Sequence, residues 1–315
     1  MSICITFILG CTGCGKGAVG RALAERLEAE IVSVDSMKIY RRMDIGTGKP
    51  SAAVRARVPH HLIDVAQPSE DFSAARFVDL ADRAIGAIHD RGRPVLAVGG
   101  TALYVKALSE GLFEGPSADE AVRARLKARA ADVGSAGLHA ELRGVDPVAA
   151  ERVHPNDLRR IVRALEVYEL TGEPISALQT QWDSQRTVYD CSFVGLRREL
   201  EDQNHRTNQR TKRMIEAGLV DEVRALLAED PPLSPTARQA VGYAEIIEHL
   251  SGRTSLAEAI ENIKINTRQL AKSQRTWFKR FRQAHWIDLR SDSSAERVAD
   301  ALIGERGPQW FRKPS

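Results

Sequence analysis

Residues 3–17 read Ile-Cys-Ile-Thr-Phe-Ile-Leu-Gly-Cys-Thr-Gly-Cys-Gly-Lys-Gly, an apolar run that passes directly into a glycine-rich turn. The run has the length and composition of a parallel strand that is buried on both faces. After the turn, apolar residues recur at helical spacing, namely Val19, Ala22, Leu23 and Leu27. This order of strand, glycine loop and helix predicts an α/β fold built on a parallel sheet.

Two further short apolar segments end in residues that can carry chemistry. Residues 31–34 are followed by Asp35 and Ser36, and residues 94–98 lead through two glycines to Thr101. In a parallel sheet the carboxyl ends of the strands lie along one edge, where ligands bind. We therefore predict a P-loop NTPase-like core in which Asp35, Thr101 and the glycine loop surround one crevice.

The pattern of the sequence becomes helical near residue 116. Strand patterns return only at residues 188–196 and 286–289. We interpret residues 116–185 as a helical insertion into an α/β core that consists of residues 1–115 and 186–315.

Composition excludes several classes of protein. The 315-residue chain is 43% hydrophobic and 28% charged, which supports a buried core and excludes a disordered or collagen-like protein. No apolar run approaches the roughly 20 residues that span a bilayer. Four cysteines are too few for a disulfide scaffold. We expect a cytoplasmic monomer with no membrane partner, and the net charge of +3 says little about other partners.

The glycine-rich turn matches the Walker A pattern Gly-x4-Gly-Lys up to its last position. Its backbone N–H groups, the helix N-terminus and the lysine are expected to bind a di- or triphosphate. The residues of this phosphate site are Gly10, Thr12, Gly13, Cys14, Gly15, Lys16 and Gly17. Gly17 stands where a Ser or Thr hydroxyl normally holds Mg²⁺, so a metal must use other oxygens, with Ser36 as the candidate ligand and Thr12, Thr101 or water as alternatives.

More than one role is open to several of these residues. The Asp35 carboxylate suits metal coordination, general-base catalysis or the capping of the next helix. For the Thr101 hydroxyl, helix capping is the favoured role, because it follows two glycines. Cys11 and Cys14 form a Cys-x-x-Cys pair, but no second pair or histidine cluster completes a zinc site.

Positive charge is concentrated near the C-terminus. No acidic residue occurs between Glu261 and Asp288. At about 100° per residue, most of the basic residues there share a helix face of about 80°; they are Lys264, Arg268, Lys272, Arg275, Lys279 and Arg282. A second basic group in the insertion contains Arg159, Arg160 and Arg163. Two basic groups beside a phosphate loop favour a nucleic acid as the second substrate.

Several short motifs follow one another along the chain. They are Ser-Val-Asp-Ser at 33–36, Met-Asp-Ile-Gly-Thr-Gly-Lys-Pro at 43–50, Val-Gly-Gly-Thr at 98–101, His-Pro at 154–155, Arg-Ala-Leu-Glu at 163–166, Val-Gly-Tyr at 241–243 and Thr-Arg-Gln-Leu-Ala-Lys at 267–272. Each motif alone is weak, but their joint order is highly specific. In this order the chain resembles the tRNA dimethylallyltransferase (tRNA isopentenyltransferase) family.

The resemblance implies a prenyl transfer to tRNA. A dimethylallyl group would move from dimethylallyl diphosphate to N6 of adenosine 37, beside the anticodon, with Mg²⁺ assisting. The phosphate loop, although it looks like an ATP site, would then hold the prenyl diphosphate. Position by position, the resemblance implies a general base at Asp35, a substrate-orienting hydroxyl at Thr101 and a diphosphate-binding arginine at Arg210.

The resemblance also implies where tRNA is bound. The expected tRNA contacts are Asp35, Ser36, Met37, Lys38, Thr101, Arg123, Arg159, Arg160, Arg163, Gly242, Tyr243, Arg268, Lys272, Arg275 and Lys279, with the insertion on the anticodon stem-loop. Two departures from the family are Gly17, where the family has Thr, and Ser273, where it usually has a basic residue. They bear on metal coordination and on one tRNA contact, respectively.

Three other functions are alternatives at this point. A small-molecule or nucleoside kinase would use ATP at the same loop, but Gly17 and the absence of obvious lid arginines disfavour it. An RNA-binding protein with a decayed phosphate loop is disfavoured by the retention of Asp35, Thr101 and Arg210. A free adenine nucleotide as acceptor would leave the basic C-terminal helix without a purpose.

Overall fold

The structure is a computed structural model that describes residues 3–112, 115–179 and 189–311. The chain divides into two compact units. The first contains Met1–Ser109 and Val188–Ser315, and the second contains Glu110–Thr187. The insertion expected at residues 116–185 lies within the second unit.

Six strands in the described residues form one sheet in the first unit. They are β1 (Cys4–Leu9), β2 (Glu30–Val34), β3 (His60–His61), β4 (Val95–Gly99), β5 (Asp190–Arg198) and β6 (His285–Leu289), in the spatial order β3-β2-β4-β1-β5-β6. Every neighbouring pair is parallel. The predicted α/β fold with a P-loop NTPase-like parallel sheet is therefore confirmed, although residue 188 of one predicted strand lies outside the described residues.

Helices connect these strands and make up the second unit. Those of the first unit are α1 (Lys16–Leu27), α2 (Ala52–Arg57), α3 (Ala74–Asp90), α4 (Ala102–Glu110), α9 (Leu200–Glu216), α10 (Leu219–Leu227), α11 (Pro235–Arg238), α12 (Tyr243–Leu250), α13 (Leu256–Phe278) and α14 (Ala295–Arg306), the last followed by a 3-10 turn at Pro308–Phe311. Those of the second unit are α5 (Glu120–Val145), α6 (Pro147–Arg152), α7 (Leu158–Thr171) and α8 (Ile175–Leu178). No helix in the described ranges is both long and apolar enough to cross a bilayer.

The sheet of the first unit has helices on both faces. Phe7 of β1 belongs to a buried cluster with Phe77 and Ile85 of α3, whereas the next residue, Ile8, belongs to a cluster with Leu23 of α1. Successive strand residues point to opposite faces, so the continuous apolar run of β1 serves both clusters. The loop between β1 and α1 therefore begins at the carboxyl edge of a rigid, buried sheet.

A third buried cluster holds the segment that follows β2. Ile39 and Tyr40 pack with Leu219 of α10, Tyr243 of α12 and Ile263 of α13. These residues are nearly inaccessible to solvent. The packing fixes the chain directly after Asp35, and this positions the acid.

The second unit has its own apolar core. Leu126 and Leu138 of α5 pack with Ile161 and Leu165 of α7. The two halves of α5 meet at Gly134, whose φ of 76° and ψ of 163° are not helical. Because glycine tolerates positive φ, the chain turns there without strain.

Candidate active site

The phosphate loop joins β1 to α1. Gly13 and Gly15 have φ of +81° and +101°, in the left-handed region that favours glycine. A side chain at Gly13 would also bring its Cβ within 3.1 Å of the Thr207 hydroxyl on α9. The Nζ of Lys16, at the start of α1, donates to the carbonyl of Cys11 at 3.4 Å. The lysine therefore lies over the loop, where it can contact a bound phosphate.

Three long side chains from distant parts of the chain hold this loop. The Oε1 atom of Gln274 accepts from the backbone N–H of Thr12 at 2.7 Å, and its Nε2 donates to the carbonyl of Gly100 at 2.9 Å. The Nε2 of Gln203 donates to the Thr12 carbonyl at 2.9 Å, and the Nε of Arg198 donates to the carbonyl of Cys14 at 2.9 Å. The roles of Gln203 and Arg198 are not predictable from the sequence, because no local pattern links them to the loop.

Asp35 lies immediately after β2. Its Oδ1 accepts from the backbone N–H groups of Met37 at 3.0 Å and Lys38 at 3.3 Å. The next helix begins only at residue 52, so these bonds stabilise a turn and not a helix N-terminus. Within the described residues Oδ2 makes no hydrogen bond. One oxygen thus orients the carboxylate, and the other is available to accept a proton.

Thr101 lies beside Asp35 because β2 and β4 pair at their carboxyl ends. Its Oγ1 accepts from the backbone N–H of Ser36 at 3.0 Å and lies 3.3 Å from the Ser36 hydroxyl. The hydroxyl makes no bond to α4 in the described residues, so the favoured helix-capping role is not observed. At the end of β4, Gly99 pairs with Val34. A Cβ at Gly99 would lie 1.9 Å from the Val34 carbonyl oxygen, which only glycine avoids.

A cavity of about 370 Å³ opens at these strand ends. Its charged lining residues are Lys16, Asp35, Lys38 and Arg210. Thr12, Ser36, Met37 and Thr101 also line it. Apolar side chains of α9 and α13 contribute Met214, Ile263, Leu270 and Trp277. Three cations beside apolar residues suit a ligand that has both an anionic and an apolar part.

Two of the cavity's cations, Lys38 and Arg210, form no ion pair with a carboxylate of the described residues. Burial lowers the pKa of Lys38 to about 8, although the charge of Asp35 opposes this effect. Burial also lowers the pKa of Arg210, again opposed by Asp35. Arg210 donates to the carbonyl of Thr47 at 3.2 Å. Unpaired, partly buried cations are unfavourable in isolation, and a bound anion would relieve that penalty.

The cavity also contains oxygen donors suited to magnesium. Mg²⁺ prefers oxygen and often binds through one or two protein groups, with phosphate and water completing its shell. The hydroxyls of Ser36 and Thr101 and the carboxylate of Asp35 form such a set. In the described part of the chain no cluster of three His, Cys, Asp or Glu residues is present. The donors therefore fit an ion held chiefly by a diphosphate.

Cys11 and Cys14 are buried free thiols within the loop. A hydrogen bond from Cys14, together with the charges of Lys16 and Arg275, lowers the pKa of Cys11 to about 6 despite the opposing effect of burial. The same contact and burial raise the pKa of Cys14. No zinc site surrounds the pair in the residues described.

The basic face of the C-terminal helix is shorter than expected. The helix α13 ends at Phe278, Lys279 is its C-cap residue, and Arg282 follows in a turn. The expectation of one face with six charges is therefore wrong, since helical spacing does not continue beyond residue 278. Lys272 and Lys279 are exposed and available to an anionic partner.

Two other basic residues of α13 are used inside the protein. Arg275 donates to Oε1 of Gln203 at 2.7 Å, so it supports a residue that holds the phosphate loop. Arg268 donates to Oδ1 of Asn208 on α9 at 2.7 Å. Both side chains are only partly exposed.

Gly242 and Tyr243 differ in what they offer a ligand. Gly242 lines the cavity. Tyr243 is fully buried, and its hydroxyl donates to Oε1 of Glu222 at 2.6 Å. The ring also packs on Gly46, where a Cβ would lie 2.4 Å from it. Tyr243 therefore supports the cavity from behind.

In the second unit, the predicted arginines fall into two groups. The carboxylate of Glu166, fully buried, accepts from Arg123 at 2.8 Å, from Arg163 at 2.7 Å and from one backbone N–H. Burial alone would raise the pKa of Glu166, but these hydrogen bonds outweigh it, and the pKa is lowered. Arg159 and Arg160 are exposed. Arg159 and Arg160 are thus the more accessible to a partner, although Arg160 also contacts the Asp157 carboxylate at 3.3 Å.

The sequence is similar to those of known proteins over most of its length. A family model described as IPP transferase matches residues 38–281. The chain is 48% identical over 284 residues to the tRNA dimethylallyltransferase of Geobacter metallireducens, which covers 90% of this chain and 92% of that protein. It is 44% identical over 311 residues to the tRNA dimethylallyltransferase of Symbiobacterium thermophilum, with 98% and 97% covered.

Solved structures show the same similarity. The tRNA isopentenylpyrophosphate transferase of Bacillus halodurans matches with a TM-score of 0.68 and 39% identity, covering 96% of each chain. A eukaryotic dimethylallyltransferase acting on tRNA matches with a TM-score of 0.80 and 27% identity, covering 99% of this chain and 82% of that one.

Proposed function

Because the chain belongs to the IPP transferase family, we propose that it transfers a dimethylallyl group from dimethylallyl diphosphate to N6 of adenosine 37 in tRNA. The products are N6-(dimethylallyl)adenosine and diphosphate. The observation that carries this proposal is the cavity in which the phosphate-loop lysine, Lys16, and the half-free carboxylate of Asp35 both lie. Its mixed cationic and apolar lining matches a prenyl diphosphate.

Asp35 acts as the general base. The lone pair of the adenine N6 amine is delocalised into the ring, so the amine is a poor nucleophile until it loses a proton. As N6 bonds to C1 of the dimethylallyl group, the C1–O bond breaks and its electron pair leaves with the diphosphate. The Oδ2 of Asp35 takes the N6 proton, while Oδ1 stays bound to two backbone N–H groups.

Positive groups stabilise the leaving diphosphate. Lys16, the loop N–H groups and Arg210 offset the charge that develops on its oxygens. When bound, Mg²⁺ would add positive charge at the same oxygens, with Ser36 as its proposed protein ligand. Thr101, through its contact with Ser36, orients the substrate.

The tRNA must present an unstacked adenine. A stacked base cannot reach a carboxylate inside a cavity, so adenosine 37 is flipped out of the anticodon loop. Arg159 and Arg160 of the second unit contact the anticodon stem-loop, and Lys272 and Lys279 of the first unit contact the tRNA backbone, because these side chains are exposed. We also propose that the protein works as a monomer in the cytoplasm.

The direct test is a product assay. Incubating the protein with labelled dimethylallyl diphosphate and unmodified tRNA, followed by digestion to nucleosides, should yield labelled N6-(dimethylallyl)adenosine. A transcript with guanosine at position 37 is the matched control and should stay unlabelled. Label that remains in free nucleotide, or ATP turnover without tRNA, would contradict the proposal.

A further inference from the structure

Two residues at the start of α1 are considered together: Gly17, which has no side chain, and Arg21, which carries a guanidinium. Gly17 lacks the hydroxyl that normally ligates the metal in a phosphate loop. A Cβ built at Gly17 would meet a single side-chain atom within 4 Å, Nη1 of Arg21, at 3.4 Å. Arg21 lies one helical turn further on, and helical side chains lean toward the N-terminus. Its guanidinium therefore lies beside the space of the absent hydroxyl.

Among the residues that the structure describes, Arg21 has no partner that would explain this position. Within the described residues it forms no hydrogen bond, and no carboxylate lies within ion-pair distance of it. Glu25, one turn further along α1, contacts Arg57 at 3.5 Å instead. Burial lowers the pKa of Arg21, and Glu25 only partly opposes this. A half-buried guanidinium that is held without an anion is poised to bind one.

The cavity beside the phosphate loop is itself strongly cationic. Lys16, Lys38 and Arg210 line this cavity with one carboxylate, that of Asp35, and Arg21 adds a further cation beside Gly17. The positive charge around the expected diphosphate is thus largely supplied by the chain itself.

We propose that Arg21 is a diphosphate-binding residue that replaces the missing loop hydroxyl and makes diphosphate binding largely independent of Mg²⁺. The proposal rests on the proposed function, which places a prenyl diphosphate in the loop. The planar guanidinium donates to the diphosphate oxygens on the side of the loop where the hydroxyl would have held the metal ion. The pairing of Gly17 with Arg21 is then one functional unit, because a larger residue at 17 would displace the guanidinium.

The test measures binding of inorganic diphosphate by isothermal titration calorimetry, with saturating Mg²⁺ or with EDTA. This probe excludes the apolar contacts of the prenyl group. We expect the wild-type Kd to rise less than about threefold in EDTA, whereas Arg21→Gln should weaken binding at least about tenfold in EDTA and much less in Mg²⁺. Arg93→Gln removes the same charge at the opposite edge of the sheet and should bind as the wild type does.

Two further variants keep the test decisive if Arg21→Gln folds poorly. Arg21→Lys keeps the charge but loses the planar guanidinium that can donate two parallel hydrogen bonds. Its affinity for diphosphate in EDTA should therefore fall between those of the wild type and Arg21→Gln. The double variant Gly17→Thr, Arg21→Leu should bind in Mg²⁺ but lose most of its affinity in EDTA. Equal EDTA affinities of the wild type and both Arg21 variants would overturn the inference.

The outcome for the wild type separates this inference from the proposed function. If the wild type binds dimethylallyl diphosphate in Mg²⁺ but loses it entirely in EDTA, only the role of Arg21 is overturned. If it binds neither compound under any condition, the proposed function falls as well.

Discussion

Asp35 and Glu166 are both acids surrounded by basic residues, yet their surroundings differ. Glu166 is fully buried, and its two oxygens accept hydrogen bonds from Arg123, Arg163 and a backbone N–H. Asp35 is partly exposed, only its Oδ1 is bonded, and the bonds come from the backbone. Arg210 and Lys38, which line the same cavity as Asp35, form no ion pair in the described residues.

The difference shows how the same residue types serve structure in one unit and chemistry in the other. A carboxylate whose lone pairs are all used holds neighbouring arginines in place and cannot take a proton readily. A carboxylate with one free oxygen, beside uncompensated cations, can accept a proton while the cations bind an anion. Asp35, with one hydrogen-bonded oxygen, is therefore the reactive acid, and Glu166, with both oxygens bonded, is the structural one.

Replacing Asp35 should give the largest effect on activity. Asp35→Asn keeps an Oδ1 acceptor for the turn but removes the base, and Asp35→Ala removes both. We expect transfer to tRNA to fall about a thousandfold in either variant, because general-base catalysis contributes up to that order. Single-turnover assays and tRNA gel shifts will measure this, and tRNA affinity should change little. Near-normal transfer by Asp35→Asn would show that the base is another group.

Replacing Glu166 should lower the stability of the fold, whereas replacing Asp35 lowers activity. Glu166→Gln leaves Arg163 without a counter-charge and Arg123 with only the exposed Glu120 at 3.5 Å. Because both arginines are about one-third exposed, we expect a loss of about 2 kcal/mol in unfolding free energy. Urea denaturation followed by circular dichroism measures this loss. The control is Glu169→Gln on the same helix, whose exposed pair with Arg125 should contribute under about 1 kcal/mol. Equal destabilisation by the two variants would contradict the structural role of Glu166.

The exposed arginines of the second unit should affect tRNA affinity alone. Replacing Arg159 and Arg160 together by Gln should weaken tRNA binding about tenfold. It should also reduce the slope of log affinity against log salt concentration by the amount that about one to two phosphate contacts contribute. Fluorescence anisotropy across a range of KCl concentrations measures both quantities. Unfolding free energy should stay unchanged, in contrast to Glu166→Gln. An unaltered salt slope would remove these residues from the interface.

Lys38 should give the smallest effect, seen as a pH dependence. Its ammonium is charged below its pKa of about 8 and neutral above it. Diphosphate binding should therefore weaken about fivefold between pH 7 and pH 9 as one positive charge is lost. Lys38→Arg keeps its charge over this range and should flatten the profile. Identical profiles for both proteins would assign the change to another group.

Local patterns predicted the frame of the site well. The apolar run of residues 3–9 and the positions of Asp35 and Thr101 after their strands gave a parallel sheet with ligand-facing ends, since carboxyl ends of parallel strands share one edge. Strand β3 was missed, because two residues are too few to show a period. The amphipathic α3 was not noticed, although its buried residues follow helical spacing.

Long-range partnerships could not be predicted in the same way. Nothing in the local sequence shows that Gln203 contacts the phosphate loop, since 191 residues separate it from Thr12. The engagement of Arg163 with Glu166 did have a signal, because residues three apart share a helix face. Gly17 and Arg21 are four residues apart on one helix, so their proximity is also predictable from the sequence.

Gly99 limits how this protein can be redesigned. Any atom added there would push β4 away from the carbonyl of Val34 and so alter the spacing of Asp35 and Thr101. Engineering for longer prenyl donors should therefore leave the sheet untouched and vary Met214 and Leu270, whose side chains line the cavity from helices and not from strands. A directed-evolution library focused on those two helical positions would explore donor size while the reactive carboxylate keeps its place.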